Sequence, residues 1–499
     1  MSSLLLRHLR LVPVRSAAPS EPVSLRIRDG VIVDAAPELR ADSGDRVVDA
    51  DGRWAIPGLW DQHVHLTQWA QTRSRLDVSG TRDPAEALRL VRNELDSTPD
   101  GDWLFGYGFR LTDWDRVPTV TELDAVSGVR PVVLTSGDAH SGWLNTAALA
   151  ALGAEPTDGP VTEAPWFTLM TQVVELTAQQ DGGSGIAETV HEAAARGVVG
   201  IVDFEFAEPL LTWPERVARG VDALTVRRAV YPEYLESVIA AGLRTGSPLT
   251  PAGVVTIGPL KIISDGSLNT RTAFCHEPYP GGSDRGVQNH ERAELVTLLR
   301  RAASNGLQAA VHAIGDAAAH EALAAFAASG AVGSIEHAQL MTPEDIGAMA
   351  ALGVRASVQP AHLLDDRDAA VQLWPGREQH CFALRSLLDA GVAVAFGSDA
   401  PVSPLDPWTA MAAAVHRSAD ARAPWNPAEA ITVREALAAS VDGQDTLRVG
   451  QPGDLVLLDR DPLAPTEDSA AAAALLRSVG VEATVRAGQF THTAPGFVR

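Results

Sequence analysis

Two cysteines, Cys275 and Cys381, are all that 499 residues carry. A disulfide framework is thereby excluded, as is a zinc site built on thiolates, and the chain suits a reducing compartment. Runs of lysine or arginine are missing as well. With 40 basic against 63 acidic side chains the net charge is −23. Such a surface repels nucleic acid and anionic membranes, so neither is an expected partner; solubility is the plainer meaning of the acidity. No stretch nears the roughly 20 apolar residues that a bilayer span needs. Arg7, His8 and Arg10 interrupt the apolar N-terminus where a signal peptide would have its core. The expectation is a soluble, cytoplasmic protein.

What is present is ordinary globular composition, 45% apolar and 21% charged, in a chain too long for one small core. Its two ends read alike. Leu4–Val14, Val23–Ile27, Gly30–Asp34 and Arg46–Val48 have β-type composition between Pro, Gly and Asp turns, and so do Asp454–Leu458 and Glu482–Ala487 near the other terminus. A small composite β domain of sandwich type, 1–55 plus 447–499, is the reading. The middle, 56–446, alternates. Apolar, β-branched runs at Ala55–Leu59, Pro131–Thr135, Val198–Asp203, Val255–Ile263, Leu307–Val311, Val332–Ile335, Val354–Val358 and Val392–Phe396 are separated by stretches of helical spacing. Gly197, Gly306, Gly353 and Gly391 each end such a stretch just before the next run. Eight strand–helix units of this kind predict an α/β fold, a (β/α)8 TIM-type barrel. The segment 68–130 is long for one connection and is expected to place extra helices over the barrel mouth. A doubly wound open sheet is the alternative, but no Gly-rich phosphate turn follows the first strand.

Active-site residues of such barrels collect at the C-terminal strand ends. Here every end is polar. Ile56-Pro-Gly-Leu-Trp-Asp-Gln-His-Val-His-Leu66 closes with His63 and His65, two imidazoles that alternation puts on one face of a strand. The remaining ends lead to Asp138 and His140, Asp203 and Glu205, Lys261 and Asp265, His312, Glu336 and His337, Gln359 and His362, and Asp399. Singly, each has an ordinary explanation: a hydrogen-bonded core histidine, an Asp capping a turn, a Lys paired with Asp265. Together, His63, His65, His312, His337, Lys261 and Asp399 on one rim are costly to bury without a cation to organise them.

The set His63-x-His65, Lys261, His312, His337 and Asp399 resembles the metal-dependent amidohydrolase superfamily. Four longer phrases, Leu260-Lys-Ile-Ile-Ser-Asp-Gly-Ser-Leu268, Val311-His-Ala-Ile-Gly-Asp316, Ile335-Glu-His-Ala-Gln339 and Phe396-Gly-Ser-Asp-Ala-Pro401, are similar to its family 3 branch, which contains N-substituted formamide deformylase. The resemblance implies that His63 and His65 bind the more buried metal with Asp399, that His312 and His337 bind a second, and that Lys261, carboxylated on its amine, bridges the two. One ion or two is left open. Zinc suits a nitrogen-rich set, and manganese, iron or cobalt could substitute. The stretch around Thr157–Ala164 is shorter than the branch's pattern, which leaves the substrate open.

A bound divalent ion activates water and polarises a carbonyl. Asp399 is the candidate base that moves the water's proton to a leaving nitrogen, and His140 the candidate that touches substrate or steadies an oxyanion. Asp265, Arg271, His362 and Trp69 are candidate substrate contacts, and Trp143 a candidate wall. The expected activity is hydrolysis of a C–N amide-type bond in a small molecule, an N-formyl or N-acyl amine. A hydrolase of a cyclic amide, lactone or carbamate on the same fold is the alternative. A silent regulatory protein is a third reading, which a complete ligand set argues against. Assembly as a homodimer is left open.

Overall fold

The computed structural model of the chain describes residues 3–72, 75–97, 103–180 and 185–497. Eight strands run parallel around a barrel: β1 (Leu59–Val64), β2 (Val198–Asp203), β3 (Thr225–Val230), β4 (Val255–Ile263), β5 (Ala309–Ala313), β6 (Gly333–His337), β7 (Arg355–Val358) and β8 (Val394–Phe396). Each pairs in parallel with its successor. Their buried faces are apolar because helices cover the outside: Leu260, Ile262, Val311 and Ile335 pack with Leu295, Leu299, Leu323 and Met349 from the helices that follow. Gly197, Gly306, Gly353 and Gly391 all have positive φ, as helix ends before strands require.

The seam between β8 and β1 closes beyond the strands. The Asp399 amide donates to the His63 carbonyl at 2.7 Å and the His65 amide to the Ala400 carbonyl at 2.8 Å, a parallel bridge of Val64 with Ala400. The buried Asp61 carboxylate reinforces it by accepting the His63 and Ser398 amides, both at 3.0 Å. Gly397 must be glycine for this: a Cβ there would lie 2.6 Å from the His63 nitrogen.

Three expectations about the strands need correction. Ala55–Leu59 spans two elements, since Trp54–Pro57 belongs to the terminal sheet and the barrel strand begins at Leu59. Pro131–Thr135 is a strand, Val132–Ser136, but it lies in a separate five-stranded sheet with Leu76–Asp77, Leu104–Phe109, Ser141–Leu144 and Val161–Thr162. The connection after β1 is therefore a mixed sheet-and-helix layer rather than helices alone. β3 is the barrel strand that the sequence pattern does not reveal. Its Thr-Val-Arg-Arg-Ala-Val composition contains two arginines, and one of them, Arg228, is only 1% exposed.

Both chain ends build one sheet. Ser3–Leu11, Val23–Arg28, Val31–Ala36, Asp45–Asp49 and Trp54–Pro57 join Leu455–Leu458, Val481–Arg486 and Gln489–Thr493, the two sets meeting where Leu455–Leu458 pairs antiparallel with Trp54–Pro57. Leu6, Leu25, Ile27, Leu457 and Val485 share its core. Among the described residues no helix is long and apolar enough to cross a membrane.

Arg228 is buried because its guanidinium donates to the carbonyls of Ala229 at 3.1 Å, Asp203 at 3.3 Å and Ala207, with the Asp203 carboxylate 4.0 Å away. Arg228→Met fits the volume but abandons those acceptors and leaves Asp203 uncompensated. The expected cost is about 3 kcal/mol, read as a lowered denaturation midpoint; an unchanged midpoint would show the network to be dispensable.

Candidate metal centre

The strand ends converge on a small cavity lined by His63, His65, Asp138, His140, Lys261, His312, His337 and Asp399, with Phe167, Met170, Phe206 and Tyr231 as its apolar wall. Six side chains fall on the rim by strand position. His63 lies at the end of β1 and His65 directly after it, before the helix Leu66–Gln71; Lys261 sits within β4, His312 lies in β5, His337 closes β6, and Asp399 follows β8 on the loop that seals the seam. The Asp399 backbone has φ +56°, a left-handed conformation that Asp tolerates better than most residues.

Hydrogen-bond partners orient the rings. His63 Nδ1 lies 2.8 Å from Glu336 Oε2; the carboxylate accepts, so the proton sits on Nδ1 and the Nε2 lone pair faces the cavity. There it meets Lys261 Nζ at 3.2 Å and Asp399 Oδ1 at 3.5 Å. His65 Nε2 is 3.6 Å from the same Asp399 oxygen, and the ring stacks on Phe206. His312 Nε2 faces the Gly266 carbonyl at 3.1 Å, which can only accept, so its free lone pair is on Nδ1. His312 and His337 lie with ring centroids 4.5 Å apart.

Burial dominates the electrostatics. It holds His63, His65 and His337 far below the ordinary imidazole pKa, His65 at about 3, with the Lys261 charge adding to the effect. These rings are neutral and carry lone pairs. Burial also pulls the Lys261 amine down and pushes the Asp399 carboxyl up, each opposed by the charge of the other. His140 behaves oppositely. Burial alone would lower it, but the Glu163 carboxylate 3.1 Å from its Nδ1 outweighs that and lifts it to about 9, while Glu163 is held at about 2. Beside His312, with ring centroids 5.7 Å apart, the cavity is thus lined by an imidazolium held by a carboxylate.

The donor set fits a divalent cation. His63, His65 and Asp399 offer ligand atoms that all lie within 4.8 Å of one another, and so do His337, His362 and Asp399. Nδ1 of His65 and of His337 is buried with no hydrogen-bond partner, so neither ring is held by a carboxylate as His63 is. Neutral imidazoles and a carboxylate are what a zinc-class ion binds.

Other expected contacts lie elsewhere. Trp69 lines a neighbouring cavity with Tyr107 and Arg110, beyond Pro401 and Val402. Asp265 is fully buried, and its carboxylate accepts the amides of Ile314 at 3.1 Å and of Gly315 and Phe274 at 2.9 Å while standing 3.3 Å from His312. It fixes a loop and a ring rather than facing the cavity, and no pair with Lys261 forms. Arg271 is exposed. Trp143 packs in the core of the inserted sheet and donates to the Thr119 carbonyl at 2.9 Å. His362 does join the site's margin, in a recess shared with Asp138, His140, His337 and Asp399. Glu205, at the end of β2, accepts the amides of Thr67 and Gln68 and so caps the helix Leu66–Gln71 that follows the histidine pair.

Two residues at the site carry no spacing signal in the sequence. Glu163 lies 23 positions from His140 and on another element, and Glu336 reads only as the neighbour of His337.

The sequence profile of the amidohydrolase family matches residues 46–492. N-substituted formamide deformylase of Arthrobacter pascens is 27% identical over 489 residues, covering 87% of this chain and 88% of its own length. The protein LONG AFTER FAR-RED 3 of Arabidopsis thaliana is 27% identical over 459 residues, covering 83% and 78%. Among solved structures, a metal-dependent hydrolase from Pyrococcus horikoshii superposes with a TM-score of 0.75 at 26% identity, over 93% of this chain and 99% of that one.

Glu336 holds the tautomer of His63, so Glu336→Gln is expected to weaken divalent-ion binding roughly 10–100-fold, measured by competition with a chromophoric chelator. Unchanged affinity would mean that the ring needs no such support.

Proposed function

The chain belongs to the amidohydrolase family, and on that premise we propose that it hydrolyses a C–N amide-type bond in a small N-formyl or N-acyl amine. The observation that carries the reading is the placement of the Asp399 carboxylate, 3.5 Å from His63 Nε2 and 3.6 Å from His65 Nε2 at the cavity floor. His63, His65 and Asp399 would hold one divalent cation, zinc by preference, and His312 and His337 a second. Such an ion supplies an acidified water and a Lewis acid for the substrate carbonyl.

The chain's own groups do the rest. Asp399 accepts a proton from the attacking water as its oxygen bonds to the carbonyl carbon, then delivers that proton to the nitrogen as the C–N bond breaks, giving a carboxylate and an amine. His140, held as an imidazolium by Glu163, can donate to the oxyanion that develops between those two steps. Phe167, Met170, Phe206 and Tyr231 exclude water from one side. The similarity to a formamide deformylase supports the choice of substrate class.

Lys261 is the least settled member physically. Its ammonium competes for the lone pair of His63 at 3.2 Å, where a cation would also bind. Carboxylation removes that conflict: the neutral amine adds to carbon dioxide, its N–H proton is released to solvent, and a carbamate with one negative charge shared by two oxygens replaces the cation; we propose that Lys261 is so modified in the loaded protein.

A panel of N-formyl and N-acyl amines tests the activity, with Asp399→Asn as the diagnostic variant. Asn can offer an oxygen to an ion but cannot take a proton, so turnover should fall about 10²–10⁴-fold with most of the metal retained. Near-native turnover in that variant would remove Asp399 as the base. Lys261 is tested separately by reloading metal-free protein. Bicarbonate should raise the metal content regained, and Lys261→Ala should regain some activity with added short-chain carboxylic acids. Full metal content and activity in Lys261→Ala without any additive would exclude the modification.

A further inference from the structure

Away from the barrel mouth, a second group of donors comes together: His276, His320 and Asp345, whose ligand atoms all lie within 4.8 Å of one another. They arrive from three elements. His276 sits on the loop after β4, His320 in the second turn of the helix Asp316–Ser329, and Asp345 in the first turn of the helix Pro343–Leu352. The two imidazoles are exposed and the carboxylate is buried. His320 Nδ1 and Asp345 Oδ1 are 3.0 Å apart, and the His276 and His320 rings meet edge to face with centroids 5.7 Å apart.

We propose that these three residues form a separate binding site for a zinc-class cation. Donor atoms around a tetrahedral zinc lie about 3.3 Å apart, close to the existing His320–Asp345 separation. An ion entering there replaces the proton that the two share. His276 then has only to swing on its exposed side chain to complete the set, with water in the remaining position.

The backbone under each ligand is already fixed. The His276 amide donates to Asp316 Oδ1 at 2.9 Å. Thr342 donates from Oγ1 to Asp345 Oδ2 at 2.8 Å and accepts the Asp345 amide at 3.1 Å, leaving Oδ1 for a ligand role. Little ordering remains to oppose binding. A plain surface hydrogen bond would explain His320 and Asp345 but gives no reason for His276 to stand beside them.

The consequence is mechanical. The loop carrying His276 starts at Asp265, whose carboxylate holds the amides of Phe274, Ile314 and Gly315 beside His312. A cation at this position clips that loop to two barrel helices from outside, independently of the chemistry at the mouth.

Zinc titration of the full-length protein in competition with a chromophoric chelator tests the site. Wild type and His63→Ala should both hold one equivalent that His276→Ala and His320→Ala lose, with affinity reduced at least tenfold in each. Zinc should also raise the melting temperature of His63→Ala by more than that of the His63→Ala/His276→Ala double variant. Because both histidines are exposed, their replacement leaves the core intact, and His276→Gln serves as a second, more conservative variant. Equal zinc stoichiometry and affinity in wild type, His276→Ala and His276→Gln would overturn the proposal, whatever the activity at the barrel mouth proves to be.

Discussion

Two hydrogen bonds and one buried carboxylate hold the working end of this barrel together. Asp399 and His65 exchange backbone bonds with His63 and Ala400 across the β8–β1 seam, and Asp61 clamps both sides from beneath. The residues that complete the barrel are thus the ones whose side chains face its cavity. Closure and site geometry are one event. A shift in register at this seam would move Asp399 away from both histidines, since successive residues alternate faces.

The cost of that arrangement is concentrated polarity in a dry place. Neutral imidazoles with unmet nitrogens, a lysine and a carboxyl group are each disfavoured by burial. The protein offsets part of this with surrounding groups: Glu336 against His63, Asp265 and the Gly266 carbonyl against His312, Glu163 against His140. What these do not offset is the gathering of His63, His65 and Asp399 donor atoms within 4.8 Å of one another, which a cation offsets most simply. Stability and function are coupled here through the same unmet donors.

Much of the candidate site could be read from the chain because its side chains are tied to strand ends. Once His63, Lys261, His312, His337 and Asp399 were placed at the C-terminal ends of barrel strands, their convergence followed from topology alone. The failures have a common physical origin. Thr225–Val230 escapes notice because Arg228 is paid for by carbonyls from β2 and the loop after it, contacts that no local window contains. Val132–Ser136 has the composition of a barrel strand but pairs into another sheet, and composition cannot say with what a strand pairs. Arg271 and Trp69 lie close in sequence to site residues, yet one is exposed and the other serves a neighbouring cavity. Glu163 acts through a bond to a residue 23 positions away and leaves no trace in spacing.

The central claim is that His63, His65 and Asp399 gather around a divalent ion. Anomalous scattering from crystals of the zinc- or cobalt-loaded protein, collected on either side of the metal edge, addresses it directly. The expected result is a strong anomalous peak within bonding distance of His63 Nε2, His65 and Asp399, with Glu336 still bonded to His63 Nδ1. A map without a peak among these three residues, from protein that hydrolyses its substrate, would contradict it.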